Sequence, residues 1–311
     1  MRPEIQNILN ELQKVIVGKQ AALTKLLVAI FADGHILLDD VPGVGKTSIA
    51  TAISRVMSLN YKRIQFTPDV LPSDITGFSV YNKETGKLTY MPGAAIGANI
   101  LLGDEINRTS SKTQSALLEA MEECQVTVDG TTHALAHPFI VIATQNNVGT
   151  AGTQLLPFAQ LDRFLMRLSL GYPDIAAQIA IIRDRQTTDP MESITQVVSL
   201  QDVINMQQDV QHVTIKDAVI KYIAELAEVS RSFDSIELGI SPRGALFIAK
   251  TAKARAYVLG RDYVIPEDVR EVMVDVCAHR IILSGQAKAA KITPEQVVQN
   301  LIQAVKMPDG I

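Results

Sequence analysis

The feature that most constrains this chain is the run Ile36-Leu37-Leu38, followed by Gly43-Val44-Gly45-Lys46-Thr47 and a stretch of helical spacing from Lys46 to about Met57. A short apolar run, a glycine loop and a helix in that order form the strand-loop-helix arrangement of phosphate sites. Glycines let successive backbone N–H groups point at phosphate oxygens, a lysine reaches the β and γ phosphates, and a hydroxyl holds Mg²⁺. Gly43, Gly45, Lys46 and Thr47 supply these groups, and the nucleotide-binding segment is assigned to Pro42, Gly43, Val44, Gly45, Lys46, Thr47 and Ser48. The full motif begins with a further glycine where this chain has Asp40. Because the glycines nearest the phosphates are intact, Asp40 is expected to turn away from them.

Four more apolar runs read as strands, at Arg63 to Phe66, Asn99 to Leu102, Phe139 to Ala143 and Phe164 to Leu170. Five short strands with intervening helices imply an α/β fold, a parallel sheet covered on both faces. The run Ile100-Leu101-Leu102-Gly103-Asp104-Glu105 ends in two carboxylates. An acidic pair at a strand end is usually a solvated turn. Here its separation from the glycine loop fits a strand lying beside the first one. From there Asp104 can hold a water on Mg²⁺, which Thr47 also ligates, and Glu105 can polarise an attacking water. Loop and acidic pair together indicate Mg²⁺-dependent ATP hydrolysis.

Two helical patterns precede the loop, one carried by Ile5, Ile8, Leu9, Leu12, Val15 and Ile16, the other running from Lys19 to about Ala32. Two interruptions follow it. In the first, about 69–98, Phe78 to Tyr81 and Lys87 to Tyr90 flank Glu84-Thr85-Gly86, a hairpin set in a helical region. In the second, about 125–136, Gln125 to Val128 and Thr132 to Leu135 bracket the turn dipeptide Asp129-Gly130. After Gly171-Tyr172-Pro173-Asp174 helical patterns dominate, including Lys216 to Ser232 and Pro242 to Leu259. The domain boundary is placed there: a nucleotide-binding core at 1–172 and a helical lid at 173–311. The chain's 311 residues suffice for two cores.

A hydrophobic share of 47% and a charged share of 20% are those of an ordinary globular protein. The net charge of −4, with lysine and arginine scattered, weighs against a broad nucleic-acid or lipid footprint. Cys124 and Cys277 have neither metal-ligand nor disulfide-framework spacing, and no apolar run reaches the ~18 residues of a membrane span. A cytoplasmic protein without membrane insertion is the expectation. His35, His133, His137, His212 and His279 show no metal-ligand spacing and read as structural or surface residues.

Three stretches carry a resemblance: Gln65-Phe66-Thr67-Pro68-Asp69-Val70-Leu71-Pro72-Ser73-Asp74-Ile75-Thr76-Gly77, then Asp104-Glu105-Ile106-Asn107-Arg108, then Lys112 through Met121. In these the chain resembles AAA+ ATPases, and within them the MoxR family, over nearly its whole length. The resemblance implies an AAA+ P-loop core with a helix-two insert at the first hairpin, a second hairpin before the first sensor, and an all-α lid. It also implies a homo-oligomeric, hexameric ring with ATP between subunits. Ala143-Thr144-Gln145-Asn146 resembles the first sensor, with Asn146 placing the water. Leu161-Asp162-Arg163-Phe164 resembles the arginine-finger segment, with Arg163 acting in trans. Ser241-Pro242-Arg243 resembles the second sensor, in which a lid arginine, here Arg243, reaches the γ-phosphate, and Val17-Gly18 resembles the segment along the adenine. Members commonly have Asn-Pro and an acidic stretch after the first sensor, where this chain has Asn147 to Thr153.

The function so implied is ATP turnover in a ring, coupled to chaperone-like remodelling or maturation of a protein client. In some relatives the client carries a von Willebrand factor A domain or receives a metal or cofactor. The alternative is a nucleic-acid motor or loader. Against it stand the acidic balance and the lack of aromatic-basic interleaving in Gln125 to Leu135. A small-molecule P-loop kinase would leave the finger and the lid arginine without purpose.

Overall fold

The computed structural model describes residues 1–41, 43–84, 86–146, 156–184, 186 and 189–308. Its centre is a five-stranded, all-parallel sheet of β1 (Ile36–Asp39), β2 (Tyr61–Gln65), β3 (Ile100–Asp104), β4 (Ile140–Gln145) and β5 (Met166–Leu168), in the order β2-β3-β4-β1-β5. Every residue of β3 and β4 is buried, which is why these strands read as unbroken apolar runs. Side chains alternate between faces. Ile36, Leu38, Ile100, Leu102, Ile140 and Ile142 point into one core, and Leu37, Leu101, Val141 and Ala143 into another with Phe66, Leu117 and Phe164. Each fully buried aliphatic side chain contributes about 1.5–3 kcal/mol, so the sheet is held from both sides.

The topology corrects one expectation. The strand ending in Asp104 is not adjacent to β1; β4 lies between them, pairing with β1 at Asp39↔Gln145 and with β3 at Gly103↔Ala143. Sequence distance alone could not reveal this, because the intervening strand comes later in the chain. The carboxyl ends of β1, β3 and β4 therefore open onto one crevice, the usual ligand position in an open parallel sheet.

Both hairpins form. Phe78–Asn82 pairs with Lys87–Met91, and Gln125–Val128 with Thr131–Ala134 around Asp129 and Gly130, both at positive φ as a tight hairpin turn requires. The helical surroundings expected for the first hairpin reduce to one short helix, Pro72–Thr76, before it.

The C-terminal half contains the helices Ile175–Asp184, Leu200–His212, Asp217–Arg231, Pro242–Val258, Pro266–Cys277 and Pro294–Ala304. It is not purely helical: Ile236–Leu238 and Ile282–Leu283 form a short antiparallel pair. The end of the strand pattern at residue 172 is also not a break in the core. Helix Gln20–Phe31, buried at Leu23 and at every residue from Leu26 to Phe31, packs against Leu200–His212 and Pro242–Val258 as well as the sheet layer. A helix apolar on most of its circumference needs partners on more than one side. Polar links follow: Gln207 Nε2 donates to the Ile30 carbonyl at 2.8 Å and Lys250 Nζ to the Asp33 carbonyl at 3.0 Å.

His35, at the entry to β1, is half-buried. Its Nδ1 accepts from the Val141 amide at 3.0 Å and its Nε2 lies 3.0 Å from the Met121 carbonyl, so the neutral tautomer protonated at Nε2 satisfies both. Burial lowers its pKa from 6.5 to about 4. The unfolded chain therefore binds a proton that the folded chain refuses as pH falls from 6.5 toward about 4. Stability is complete above that window and declines through it by up to ~1.4 kcal/mol per pH unit for one such group. Denaturant melts across the window should show a shallower decline in His35→Gln by close to one proton, the remaining slope including His279, which burial lowers in the same direction. Parallel curves for the two proteins would contradict this.

Candidate functional site

The crevice at the strand ends is a cleft of about 460 Å³, within the ~300–1,000 Å³ range of small-molecule sites. Val15, Ile16, Val17, Pro173 and Ile181 are its apolar lining, with the cation of Lys19 beside them. Gly43 to Ser48, Arg63, Gln65, Asp104, Glu105, Thr144 and Asn146 form its polar end. Gly43 and Gly45 have φ of 83° and 94°, with nothing within 4 Å of the position a Cβ would take. A side chain at either would be strained, whatever the space, and the bare backbone faces open cleft. Helix Lys46–Val56 starts directly at Gly45, so its unpaired N–H groups and positive dipole end lie where a phosphate would sit. Pro42 lies outside the described residues, as does the segment 147–155.

Lys46 Nζ donates to the carbonyls of Asp40 at 2.6 Å and Gln145 at 3.1 Å. Burial lowers its pKa, and the carboxylates of Asp40, Asp39, Asp104 and Glu105 work against that shift. Asp40 Oδ2 accepts from the amides of Leu170 and Gly171 and from Ser169 Oγ, and Oδ1 from the Val41 amide. The carboxylate where the motif has glycine thus staples the loop to the exit of β5. Lys19 Nζ ties the same exit from the cleft side through the carbonyls of Leu170, Gly171 and Tyr172. Val17 lines the cleft, and Gly18 beside it turns at φ 74°, where a Cβ would stand 2.7 Å from Ala177 Cβ.

Asp104 and Glu105 are held by residues to which the sequence reading gave no role. Buried Thr144 donates to Asp104 Oδ1 at 3.1 Å and accepts from the Glu105 amide at 2.9 Å. Arg63 Nε donates to Asp104 Oδ2 at 2.8 Å, and Glu105 Oε2 accepts from Gln65 Nε2 at 3.1 Å and from Arg108 Nη1 at 2.7 Å. Glu105 itself adopts the left-handed conformation, φ 56°, which directs it out of the strand line. The alternation of β2 and β4 was the available signal: Arg63 and Gln65 share a face, as do Thr144 and Asn146. Thr47 Oγ1 stands 3.5 Å from Asp104 Oδ2. A hydroxyl and a carboxylate so close are hard oxygen donors suited to Mg²⁺, which takes one or two protein ligands and completes its shell with phosphate oxygens and water. Among the described residues no cluster of three or more His, Cys, Asp or Glu offers a self-contained metal site.

Asn146 lines the cleft and its carbonyl accepts from Asn107 Nδ2 at 3.2 Å. Arg163 and Arg243 do not line it. Both converge on Glu122: Arg163 Nε donates at 2.7 Å to one carboxylate oxygen, and Arg243 Nη2 to the other. The bond from Arg163 is the largest cause holding the Glu122 carboxyl below its ordinary pKa; burial opposes it, and the charge of Arg243 adds to the lowering. Arg243, which the family resemblance brings to the γ-phosphate, lies outside the cleft of its own chain. The helix it begins packs against Gln20–Phe31, which seats it with Arg163 and Glu122 around a separate pocket.

Residues 35–166 match the ATPase family associated with various cellular activities (AAA), and residues 229–301 match the AAA lid domain. The chain is 37% identical to Chaperone MoxR1 of Mycobacterium tuberculosis, an alignment covering 98% of this chain and 82% of that one. It belongs to the MoxR family of AAA+ ATPases. It is also 46% identical to the uncharacterized protein YeaC of Bacillus subtilis, over 99% of this chain and 96% of that one. A crystal structure of a candidate ATPase from Cytophaga hutchinsonii superposes with a TM-score of 0.90 at 38% identity, covering 98% and 95% of the two chains.

For a MoxR-family site of this geometry, Glu105→Gln separates binding from chemistry. The amide preserves the shape but is a poor base, so calorimetry should give a Mg·ATP affinity within a few-fold of wild type, while turnover falls by about 10²–10⁴. Near-normal turnover would remove Glu105 from the reaction.

Proposed function

We propose that the protein hydrolyses Mg·ATP at the contact between copies of itself in a hexameric ring in the cytoplasm, and that turnover drives chaperone-like remodelling of a protein client. In this reading Gly43 to Ser48 bind the phosphates, Thr47 and Asp104 hold Mg²⁺, Glu105 accepts a proton from the attacking water and Asn146 orients that water. Bound Mg²⁺ would neutralise charge building on the phosphate oxygens. Arg163 and Arg243 then act together in trans, brought to the neighbour's cleft as a pair.

The observation that carries this reading is the shared seat of the two arginines on Glu122, outside their own cleft. Two partly exposed guanidinium groups on one carboxylate carry an excess positive charge toward the surface, as needed by an anion arriving from another subunit. The cations lining the subunit's own cleft have other bonds: Lys46 holds two loop carbonyls, Lys19 three carbonyls at the β5 exit, and Arg63 holds Asp104.

A protein client is favoured by the first hairpin. Leu71, Phe78, Val80, Tyr81, Leu88 and Met91 are 46 to 63% exposed on or beside it. Large apolar groups concentrated on one excursion mark protein contacts. By resemblance, a client with a von Willebrand factor A domain, or one receiving a metal or cofactor, belongs to this proposal.

Mixing two inactive variants tests the trans arrangement. Lys46→Ala subunits lose nucleotide binding but keep Arg163, and Arg163→Ala subunits keep the binding site but lose the finger, which is typically worth about 10³–10⁵ in rate. With subunit exchange shown independently by energy transfer, activity should reappear on mixing. Arg163→Ala turning over alone at the wild-type rate would contradict the proposal.

A further inference from the structure

The oxygen of Asp104 that faces Thr47 is already occupied. Asp104 Oδ2 lies 3.5 Å from Thr47 Oγ1 and 2.8 Å from Arg63 Nε, while the other oxygen is engaged by Thr144. A cation shared by Thr47 and Asp104 would approach the same oxygen that the guanidinium holds. Arg63 reaches it from β2, whose backbone pairs with β3 two positions away, Arg63 against Leu102 and Gln65 against Asp104. Its side chain is 46% exposed, whereas that of Asp104 is 10% exposed. The arginine can swing into the cleft or solvent; the carboxylate cannot move away.

We propose that Arg63 is a stand-in cation, pairing with Asp104 where a metal would approach it and displaced when Mg·nucleotide arrives. The inference rests on the ATPase reading above and adds a positioning role for a residue outside the phosphate loop. The physical need is local. Without a metal, Asp104 and Glu105 are adjacent carboxylates at a largely buried strand end, and an uncompensated charge there is costly. Arg63 neutralises Asp104, while its Nη2 donates to Gln65 Oε1 at 2.9 Å. Because a guanidinium can only donate, this bond fixes the Gln65 amide with its NH₂ toward Glu105, the 3.1 Å contact. The same arginine therefore keeps the acidic pair ordered before nucleotide binds. A divalent ion brought by phosphates competes successfully because an ion pair with one exposed partner is weak, at most about a factor of five in affinity.

The stand-in role makes two opposite demands on one substitution. In Arg63→Gln the empty protein should melt at a lower temperature, by about 2 °C, because Asp104 loses its partner. Yet calorimetry on the full chain should show ADP with Mg²⁺ binding tighter than to wild type by about three- to five-fold, since nothing has to be displaced. ADP with EDTA serves as the reference and should change less than the Mg²⁺ arm. Arg63→Lys retains a cation at the oxygen and should restore wild-type Mg·ADP affinity. Mg·ADP affinity that is unchanged or weakened in Arg63→Gln would overturn the inference, and so would equal tightening in Arg63→Lys. Wild-type protein that binds ADP in neither arm would instead remove the nucleotide reading beneath it.

Discussion

The hydroxyl of Thr144 sits where the structure's main constraint is met. β4 separates the strand that carries the phosphate loop from the strand that carries the acidic pair, so loop and acids are not neighbours in the sheet. Thr144, on the intervening strand, donates to Asp104 and accepts from the Glu105 amide. It thereby fixes one oxygen of the Asp104 carboxylate and the point at which the chain turns into the left-handed conformation at Glu105. Lys46 makes the matching tie on the other side through the Gln145 carbonyl, one residue along the same strand. β4 is thus both spacer and bridge, and full burial of its six residues between two cores keeps it in register.

Much of this was legible in the sequence because the relevant signals are local. The strand, glycine loop and helix around Lys46 appear where their spacing put them, and the hairpin around Asp129-Gly130 follows from a dipeptide that tolerates positive φ at both positions. The acidic pair was readable as a strand end. What escaped were relations between distant segments. Arg63, Gln65 and Thr144 are unremarkable residues of their own strands and acquire meaning only when strand order sets them beside Asp104 and Glu105. Strand order itself was misjudged, since a crossover leaves no trace in composition. Asp40 was the opposite case: an apparent fault in the motif is filled by hydrogen bonds from residues 169–171, about which a local pattern says nothing.

The lid shows the same limit at larger scale. A change from strand to helix patterns at residue 172 suggested a boundary, but helix Gln20–Phe31 is apolar on too much of its circumference to serve the sheet layer alone, and it merges the two halves into one core. That packing directs the start of helix Pro242–Val258, and Arg243 with it, toward Glu122 and Arg163 instead of the cleft. Buried Arg280 strengthens the junction, pairing with Asp162 at 3.0 Å and donating to the Leu165 carbonyl at 3.2 Å, directly on either side of the Arg163 segment. The lid in this arrangement supports two partly exposed arginines outside the cleft of their own chain, which is why the proposed site takes them from a second copy.

In the proposed ring, one chain holds only part of its catalytic site. The most direct measurement is the specific ATPase activity of the wild-type protein at saturating Mg·ATP over a wide range of protein concentration, with assembly followed in the same samples by light scattering. Activity per chain should be low in dilute solution and rise to a plateau in step with assembly, because in the proposed ring each cleft gains its neighbour's arginines only on contact. Activity per chain that stays constant while the protein passes from monomer to ring would contradict it.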